Sequence, residues 1–525
     1  MNPAVSTSTA PIRNVLFIMC DQLRADHLSC YGGIVPTPNI DRLAARGARF
    51  DRAYVTSAVC GPSRASFYTG RYPVSHRVTW NRVPMPLDEL SLGDYLATAG
   101  RACHLLGKTH FVPHRAGLEE HGYQVDEAAR LRHLQGGFTP VERYDGHYEM
   151  DAQSPFRQYL LAQGYTGDQP WTDHVIGSTD AKGALASGWY LRNAPLPARV
   201  REEDSETAYL TRRAMDFIDQ QGEKPWVLHL SYIKPHWPYK APAPYHDLFS
   251  VKDVRAPVRA PHERQEGHPV HRAYQRHEES ESFARDEVWQ AIRPVYMGLV
   301  KQIDDHIGRL LAHLEQAGRL DDTLIIFTAD HGDFLGDHWL GEKEYFFEPV
   351  MRVPFIVSDP RAAAGQVRQD FVECIDVVPT VLEALGLPVP EHRIEGRSLI
   401  GLLHGRTEHL GRTFVVGSLD YAYRKARTVL QRGPQECTGW MLRDERYKLI
   451  VWEGYPPQLF DLHSDPDELH DLGADAALAP VRQRMTEQLL GWMWARRRRT
   501  TETSAQVVDR TDAHERMMNI LIGRW

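Results

Sequence analysis

The stretch VCGPSRASFYTG, residues 59–70, places a thiol directly before Gly61-Pro62 and an arginine four residues beyond that thiol. Pro62 suits the first turn of a helix, so the spacing predicts Cys60 at or near a helix N-cap, where the dipole favours negative charge. A thiolate nucleophile is one reading of such a cysteine, and a buried structural thiol is the ordinary one. The ordinary reading leaves the string Cys60-Gly61-Pro62-Ser63-Arg64, with Thr69-Gly70 after it, unexplained. Four further clusters join it. NVLFIMC runs into Asp21-Gln22, RACHLLG into Lys108-Thr109-His110, VLHLSYIK into Pro235-His236, and LIIFTA into Asp330-His331, with Lys343 following in GEKEYFFE. Taken singly, each is more often a turn, a helix cap or a packed loop histidine. Taken jointly, they fall at the carboxyl ends of strand candidates, where open parallel sheets bind ligands.

Asp21, Gln22, Asp330 and His331 offer mostly oxygen ligands and one imidazole. That set suits Ca²⁺, Mg²⁺ or Mn²⁺, and the nitrogen donor tilts the choice towards Mn²⁺, with Ca²⁺ as the alternative. Zinc would draw more histidines or thiolates. Arg64, Lys108, His110, His236 and Lys343 add positive charge and proton donors. A cation inside that set stabilises an anionic centre expanding to five-coordination, as in phosphoryl or sulfuryl transfer.

Such residues need a rigid frame, and the chain supplies the pattern of one. Apolar runs at NVLFIM, RACHLLG, PWVLHLSYI and DTLIIFTA alternate with helical spacing in PNIDRLAARG and in PVYMGLVKQIDDHIGRLLAHLEQAG, which Gly318 closes. The pattern predicts an α/β fold: a large, mostly parallel mixed sheet sandwiched by helices over residues 1–400. Residues 133–200 and 241–285, rich in Pro, Gly, His and charge, read as long excursions around the site. Over residues 401–499 the texture changes to hairpin-linked strands, RTFVVGSLD, TGWMLRDERYKLIVWEG and QLFDL, with a turn near Asp444-Glu445 and a helical pattern from Ala476 to Arg499. This predicts a smaller C-terminal α+β domain with a short antiparallel sheet. Residues 500–525 form a tail that opens polar and ends with Met517, Met518, Ile520, Leu521, Ile522 and Trp525. Apolar side chains at that density are expected to dock, either on the chain's own body or as an arm on another subunit.

Of 525 residues, 42% are hydrophobic and 25% charged, as in ordinary globular proteins. The net charge of −8 argues against nucleic acid as a partner. The six cysteines are scattered, without CxxC pairs, which favours reduced thiols. The apolar run from Val15 to Cys20 is too short for a signal or a membrane span. A cytoplasmic enzyme acting away from the membrane is the expectation.

Cys-x-Pro-Ser-Arg followed by Thr-Gly resembles the sulfatase signature, in which a separate enzyme oxidises the cysteine to formylglycine. The resemblance continues through Asp21, GKTH, KPHWPY, TADHGD, GEKEYFFE and LFDLHSDPDELHDL, nearly the whole chain. It points to the sulfatase branch of the alkaline phosphatase superfamily, and within it to the phosphonate monoester hydrolases and their arylsulfatase relatives. Gln22 and His331 match the phosphonate hydrolase and choline sulfatase pattern, so Gln22 lines the site without ligating. Lys108 and His110 instead match true sulfatases, and Asn81 matches an asparagine that contacts the anion. The choline-binding aromatic segment is not evident.

The resemblance implies a metal held by Asp21, Cys60, Asp330 and His331, and an alkaline-phosphatase-like fold. It also implies a hydrated aldehyde at position 60 that attacks sulfur or phosphorus, displaces the alcohol and forms a covalent hemiacetal intermediate, whose collapse expels sulfate or phosphonate. His236 and Lys343 then support the leaving oxygen, His110 removes the second hydroxyl proton, Arg64 orients the diol and Lys108 bridges it to the anion. The expected activity is promiscuous hydrolysis of sulfate monoesters, aryl ones foremost. Phosphonate monoester or phosphodiester hydrolysis is the alternative, and an inactive anion-binding relative is disfavoured by the competent residues at every position. The implied partners are a formylglycine-generating enzyme and, through the tail, further copies in a homo-oligomer, a tetramer in the related phosphonate hydrolases.

Overall fold

The computed structural model describes residues 11–122, 130–146, 153–496, 499–511, 513 and 516. Two sheets organise it. The larger has eight strands: β1 (Asn14–Asp21), β2 (Ala48–Tyr54), β3 (Cys103–Gly107), β4 (Thr139–Arg143), β5 (Val227–Pro235), β6 (Thr323–Ala329), β7 (Phe355–Ser358) and β8 (Gln366–Glu373). Their spatial order is β8-β2-β7-β6-β1-β5-β3-β4. Every pairing is parallel except those of β7, which runs antiparallel to both β2 and β6. The central strands β1, β5 and β6 are buried along their whole length, which is why they read as continuous apolar runs. The sequence pattern does not reveal β2, β4, β7 or β8. β2 and β8 lie at or near an edge and carry charged residues on a half-exposed face, while β7 is only four residues long.

Helix α1 (Pro38–Arg46) follows β1, and α2 (Cys60–Thr69) follows β2. Helix α3 (Glu206–Gln221) packs on β5 and on α4 (Asp286–Gln316), the long amphipathic helix. α4 begins at Asp286, ahead of the PVYMG string, and carries Pro294 inside it; Gly318 just beyond its end has φ 64°. The second sheet is fully antiparallel, β9 (Val415–Asp420), β10 (Thr438–Arg443), β11 (Tyr447–Trp452) and β12 (Gln458–Asp461), with the predicted turn at 444–446. Helix α5 (Ala479–Ala495) lies against it. One hydrophobic cluster runs through both sheets, from Val15 to Leu449 and Met485. Among the described residues no helix is long and apolar enough to cross a membrane. The apolar end of the tail, residues 517–525, lies outside the described residues.

Candidate active site

Strands β3, β5, β1 and β6 are consecutive neighbours and parallel, so their carboxyl ends emerge side by side. Cys20 is registered against Ala329, which sets Asp21 beside Asp330 just beyond the sheet edge. Lys108 and His110 follow β3, and His236 follows β5. Helix α2 brings its N-terminus to the same edge. Cys60 is its first helical residue, Val59 being the cap, and all ten residues of α2 are buried. The Gly61 N–H, which a side-chain cap would otherwise take, donates to Asn81 Oδ1 at 2.7 Å. A Cβ at Gly61 would stand 2.9 Å from that oxygen, so the close approach requires glycine.

The ligand atoms of Asp21, Cys60, Asp330 and His331 lie within 4.8 Å of one another, all buried. Arg64 occupies the outer carboxylate oxygens, with Nε 2.7 Å from Asp330 Oδ2 and Nη2 3.2 Å from Asp21 Oδ2. Lys108 Nζ also sits on Asp21 Oδ2, at 2.5 Å. The inner oxygens face the centre. Asp21 Oδ1 is 3.9 Å from both Cys60 Sγ and His331 Nε2, and Asp330 Oδ1 is 3.8 Å from the same nitrogen. His331 Nδ1 donates to the Gly332 carbonyl at 2.9 Å, which turns Nε2 inward as an acceptor. Two carboxylate oxygens and one imidazole nitrogen converging at these separations, beside the position-60 heteroatom, fit a hard or borderline divalent cation.

Burial pushes the Cys60 thiol up, but Lys343 and Lys108 more than offset it and hold it well below the usual thiol range. Burial raises the Asp21 carboxyl too, as does Cys60, and Lys108 and Arg64 bring it below the usual carboxylate range. His236 Nδ1 donates to the Trp237 carbonyl at 2.6 Å, and Nε2 accepts from Lys343 Nζ at 3.0 Å. Burial and the Lys343 charge press its imidazole down to about 3. The histidine is therefore neutral, and Lys343, held charged by Cys60, Asp21 and Glu342 against its burial, is the proton-bearing group of the pair.

The family model described as Sulfatase matches residues 13–387, and one described as N-sulphoglucosamine sulphohydrolase, C-terminal, matches residues 336–493. The chain belongs to the sulfatase family. It is similar to the multifunctional alkaline phosphatase superfamily protein PehA of Trinickia caryophylli, 33% identical over 93% of this chain and 96% of that protein. Among solved structures it is similar to the phosphonate monoester hydrolase SpPMH from Silicibacter pomeroyi, with 32% identity and a TM-score of 0.81 over 93% of this chain and 96% of that one. The phosphonate monoester hydrolase of Agrobacterium radiobacter gives 30% identity and a TM-score of 0.80, over 92% and 96%. This sulfatase-family chain is accordingly a hydrolase of the sulfate and phosphonate ester class.

In this sulfatase-family fold a cleft of about 610 Å³ opens above Cys60, with Lys108, His110, His236 and Lys343 around it and Asn81 on its wall. Gln22 is absent from that lining. Its left-handed backbone (φ 67°) turns it beneath Lys343, whose Nζ donates to Gln22 Oε1 at 3.1 Å, while Gln22 Nε2 donates to Asp333 Oδ2 at 2.6 Å. Gln22 thus positions Lys343 from below. Several residues of the site carry no signal in the sequence. Asp145 Oδ1 accepts the Thr109 and His110 N–H groups at 2.8 and 3.0 Å and so shapes the turn that presents Lys108 and His110. Ser231 Oγ accepts from Arg64 Nη1 at 2.9 Å. Trp80, Trp237, Tyr423 and Arg424 form walls of the cleft, the last two reaching in from the segment after β9. No local spacing links any of these to residues hundreds of positions away.

Proposed function

We propose that the chain is a metal-dependent, formylglycine-type hydrolase of monoanionic tetrahedral esters, aryl sulfates foremost. The observation that carries this is the convergence of the inner oxygens of Asp21 and Asp330, His331 Nε2 and Cys60 Sγ beneath a cleft ringed by two lysines. Asp21, Asp330, His331 and the position-60 side chain would hold the cation, Mn²⁺ or Ca²⁺ by donor type, which with a formylglycine made from Cys60 supplies Lewis-acid charge and a hydrated-aldehyde nucleophile. The chain's own groups do the rest. Arg64 locks both carboxylates and keeps their inner oxygens turned to the centre. Lys108 balances Asp21 and faces the anion, and Asn81 fixes the α2 N-terminus beneath it. Lys343, aligned by Gln22 and His236, gives its proton to the leaving oxygen. His110, beside Cys60 on the cleft, takes a proton from position 60 as the product departs.

A second reading, phosphonate monoester hydrolysis, is favoured by the two solved relatives so named at 30–32% identity. Parallel kcat/KM measurements on 4-nitrophenyl sulfate and 4-nitrophenyl phenylphosphonate decide the order. Protein that carries the aldehyde at position 60 yet turns over neither ester overturns both readings.

The same reading includes maturation by a formylglycine-generating enzyme. The six free cysteines support a reducing compartment such as the cytoplasm. It also includes assembly into a homo-oligomer, a tetramer among the alternatives, through residues 500–525. Deleting residues 505–525 is expected to give smaller species in sedimentation, and an unchanged assembly state would make the tail an intramolecular clasp.

A further inference from the structure

Glu342 and Glu344 flank Lys343, and both adopt left-handed backbone, φ 57° and 86°, without being glycine. Strain of this kind is held only where the surroundings over-determine it, and here three consecutive residues, Glu342, Lys343 and Glu344, line the cleft. The two carboxylates have different fates. Glu344 is paired with Arg424, which also pairs with Glu279 and contacts His277 Nδ1 at 3.0 Å. Glu342 lines the cleft and is half-buried, yet among the described residues its carboxylate makes no hydrogen bond or ion pair.

The cations around it are directed elsewhere. Lys108 sits on Asp21, Lys343 bonds Gln22 and His236, and Arg424 serves the two other glutamates. Arg82 lines the rim and is exposed. Burial raises the Glu342 carboxyl well above its usual range, and Glu279, Glu344 and Asp333 add to this against Lys343. Lys343 and Arg424 act on this carboxylate only through space, without an ion pair to it. Beside it in the same cleft, Trp80 and Tyr423 stack at 5.8 Å with 13° between their planes, and Tyr423 is 61% exposed.

We propose that Glu342 and the Tyr423–Trp80 pair form a leaving-group subsite for esters whose phenol carries an ammonium substituent. An aryl ring lies against the exposed face of Tyr423 while its cation meets both an aromatic surface and the unpaired carboxylate, two attractions that reinforce each other. The proposal rests on the ester-hydrolase reading above and adds the class of alcohol released.

Tyramine O-sulfate and 4-ethylphenyl sulfate differ only in the terminal ammonium and test the subsite directly. The expected kcat/KM ratio favours the cationic ester by about tenfold. In Glu342→Gln that ratio collapses towards one, whatever happens to the absolute rates, and in Glu342→Lys the preference passes to the O-sulfate of 4-hydroxyphenylacetate. A wild-type ratio at or below one, or a ratio that Glu342→Gln leaves intact, overturns the proposal. Calorimetry with tyramine itself reads the subsite apart from turnover. Binding to the wild type that is lost in Glu342→Gln supports the assignment, and equal binding overturns it. Absence of turnover on both esters therefore counts against the ester-hydrolase reading alone.

Discussion

Cys60 contributes no cap to α2, since Val59 holds that place and Asn81 takes the Gly61 N–H. Its chemistry and its structural role are therefore separable. Cys60→Ala is expected to abolish turnover while costing only about 1 kcal/mol of stability, the scale of an ordinary single substitution. Mass spectrometry of matured wild-type protein should show an aldehyde or its hydrate at position 60, and a fully active preparation bearing only the thiol would sink the assignment. Asp330 differs in kind. Its Oδ1 faces the centre and its Oδ2 is gripped by Arg64. Asp330→Asn removes one formal charge from a mostly oxygen cage, so metal affinity should fall by about tenfold or more. Full occupancy of the variant in metal analysis would strike Asp330 from the ligand set.

At the scale of elements, one carboxylate joins three parts of the frame. Asp337 Oδ2 accepts from Arg24 Nη1 at 2.6 Å, just after β1, and Oδ1 accepts from Arg293 Nη2 of α4 at 2.5 Å and from the Val258 N–H at 2.8 Å. All three side chains are buried. Removing the charge leaves Arg293 without its carboxylate in the interior and Arg24 with Asp26 alone, a loss of about 3–5 kcal/mol for Asp337→Asn. Burial raises the Asp337 carboxyl, and Arg24 and Arg293 bring it below the usual carboxylate range. A depressed folded-state pKa contributes stability that is complete above the unfolded value of about 3.9 and drains away as pH falls below it. Urea midpoints from pH 6 downwards should therefore decline less steeply in Asp337→Asn than in the wild type. Parallel declines would show that this clamp does not govern acid sensitivity.

For the molecule as a whole, the link between the two sheets matters most, because Tyr423 and Arg424 enter the cleft from the segment after β9. Lys448 on β11 is fully buried, with Nζ 2.8 Å from Glu348 Oε1, 2.7 Å from Glu468 Oε1 and 2.9 Å from the Phe346 carbonyl. Glu348 and Phe346 follow Lys343 closely in the chain, so this ion cluster ties the small sheet to the loop that carries Lys343. Burial raises the Glu348 carboxyl, but Lys448, Arg443 and Arg352 bring it down to about 2. Lys448→Met leaves the buried Glu468 without its cation and Glu348 with Arg352 alone, and should destabilise the whole chain by about 3–5 kcal/mol in one cooperative transition. Tryptophan fluorescence and residual turnover should then report coincident thermal midpoints, both lowered. A variant with an unaltered midpoint would show that the cluster does not hold the sheets together.

The floor of the candidate site is readable in the sequence for a simple reason. A parallel sheet brings the carboxyl ends of its strands to one edge, so Asp21, Lys108, His110, His236 and Asp330 can be gathered by reading each apolar run to its end. The string around Cys60 adds the helix that points at that edge. Composition and alternation likewise foretell the α/β sheet and the later antiparallel one, because fully buried strands and hairpins leave opposite textures. Edge strands such as β2 and β8 escape, since half-exposed backbone tolerates the charges that hide them. What only the tertiary structure decided are the contacts between residues far apart in sequence. Gln22 turns beneath Lys343, His236 stays neutral between a carbonyl and an ammonium, Asp145 shapes the Lys108–His110 turn, and Tyr423 arrives from another sheet to wall the cleft. Local sequence specifies strand, helix and residue type, but orientation and protonation follow from which distant groups share a buried volume, and only the packed chain brings those groups together.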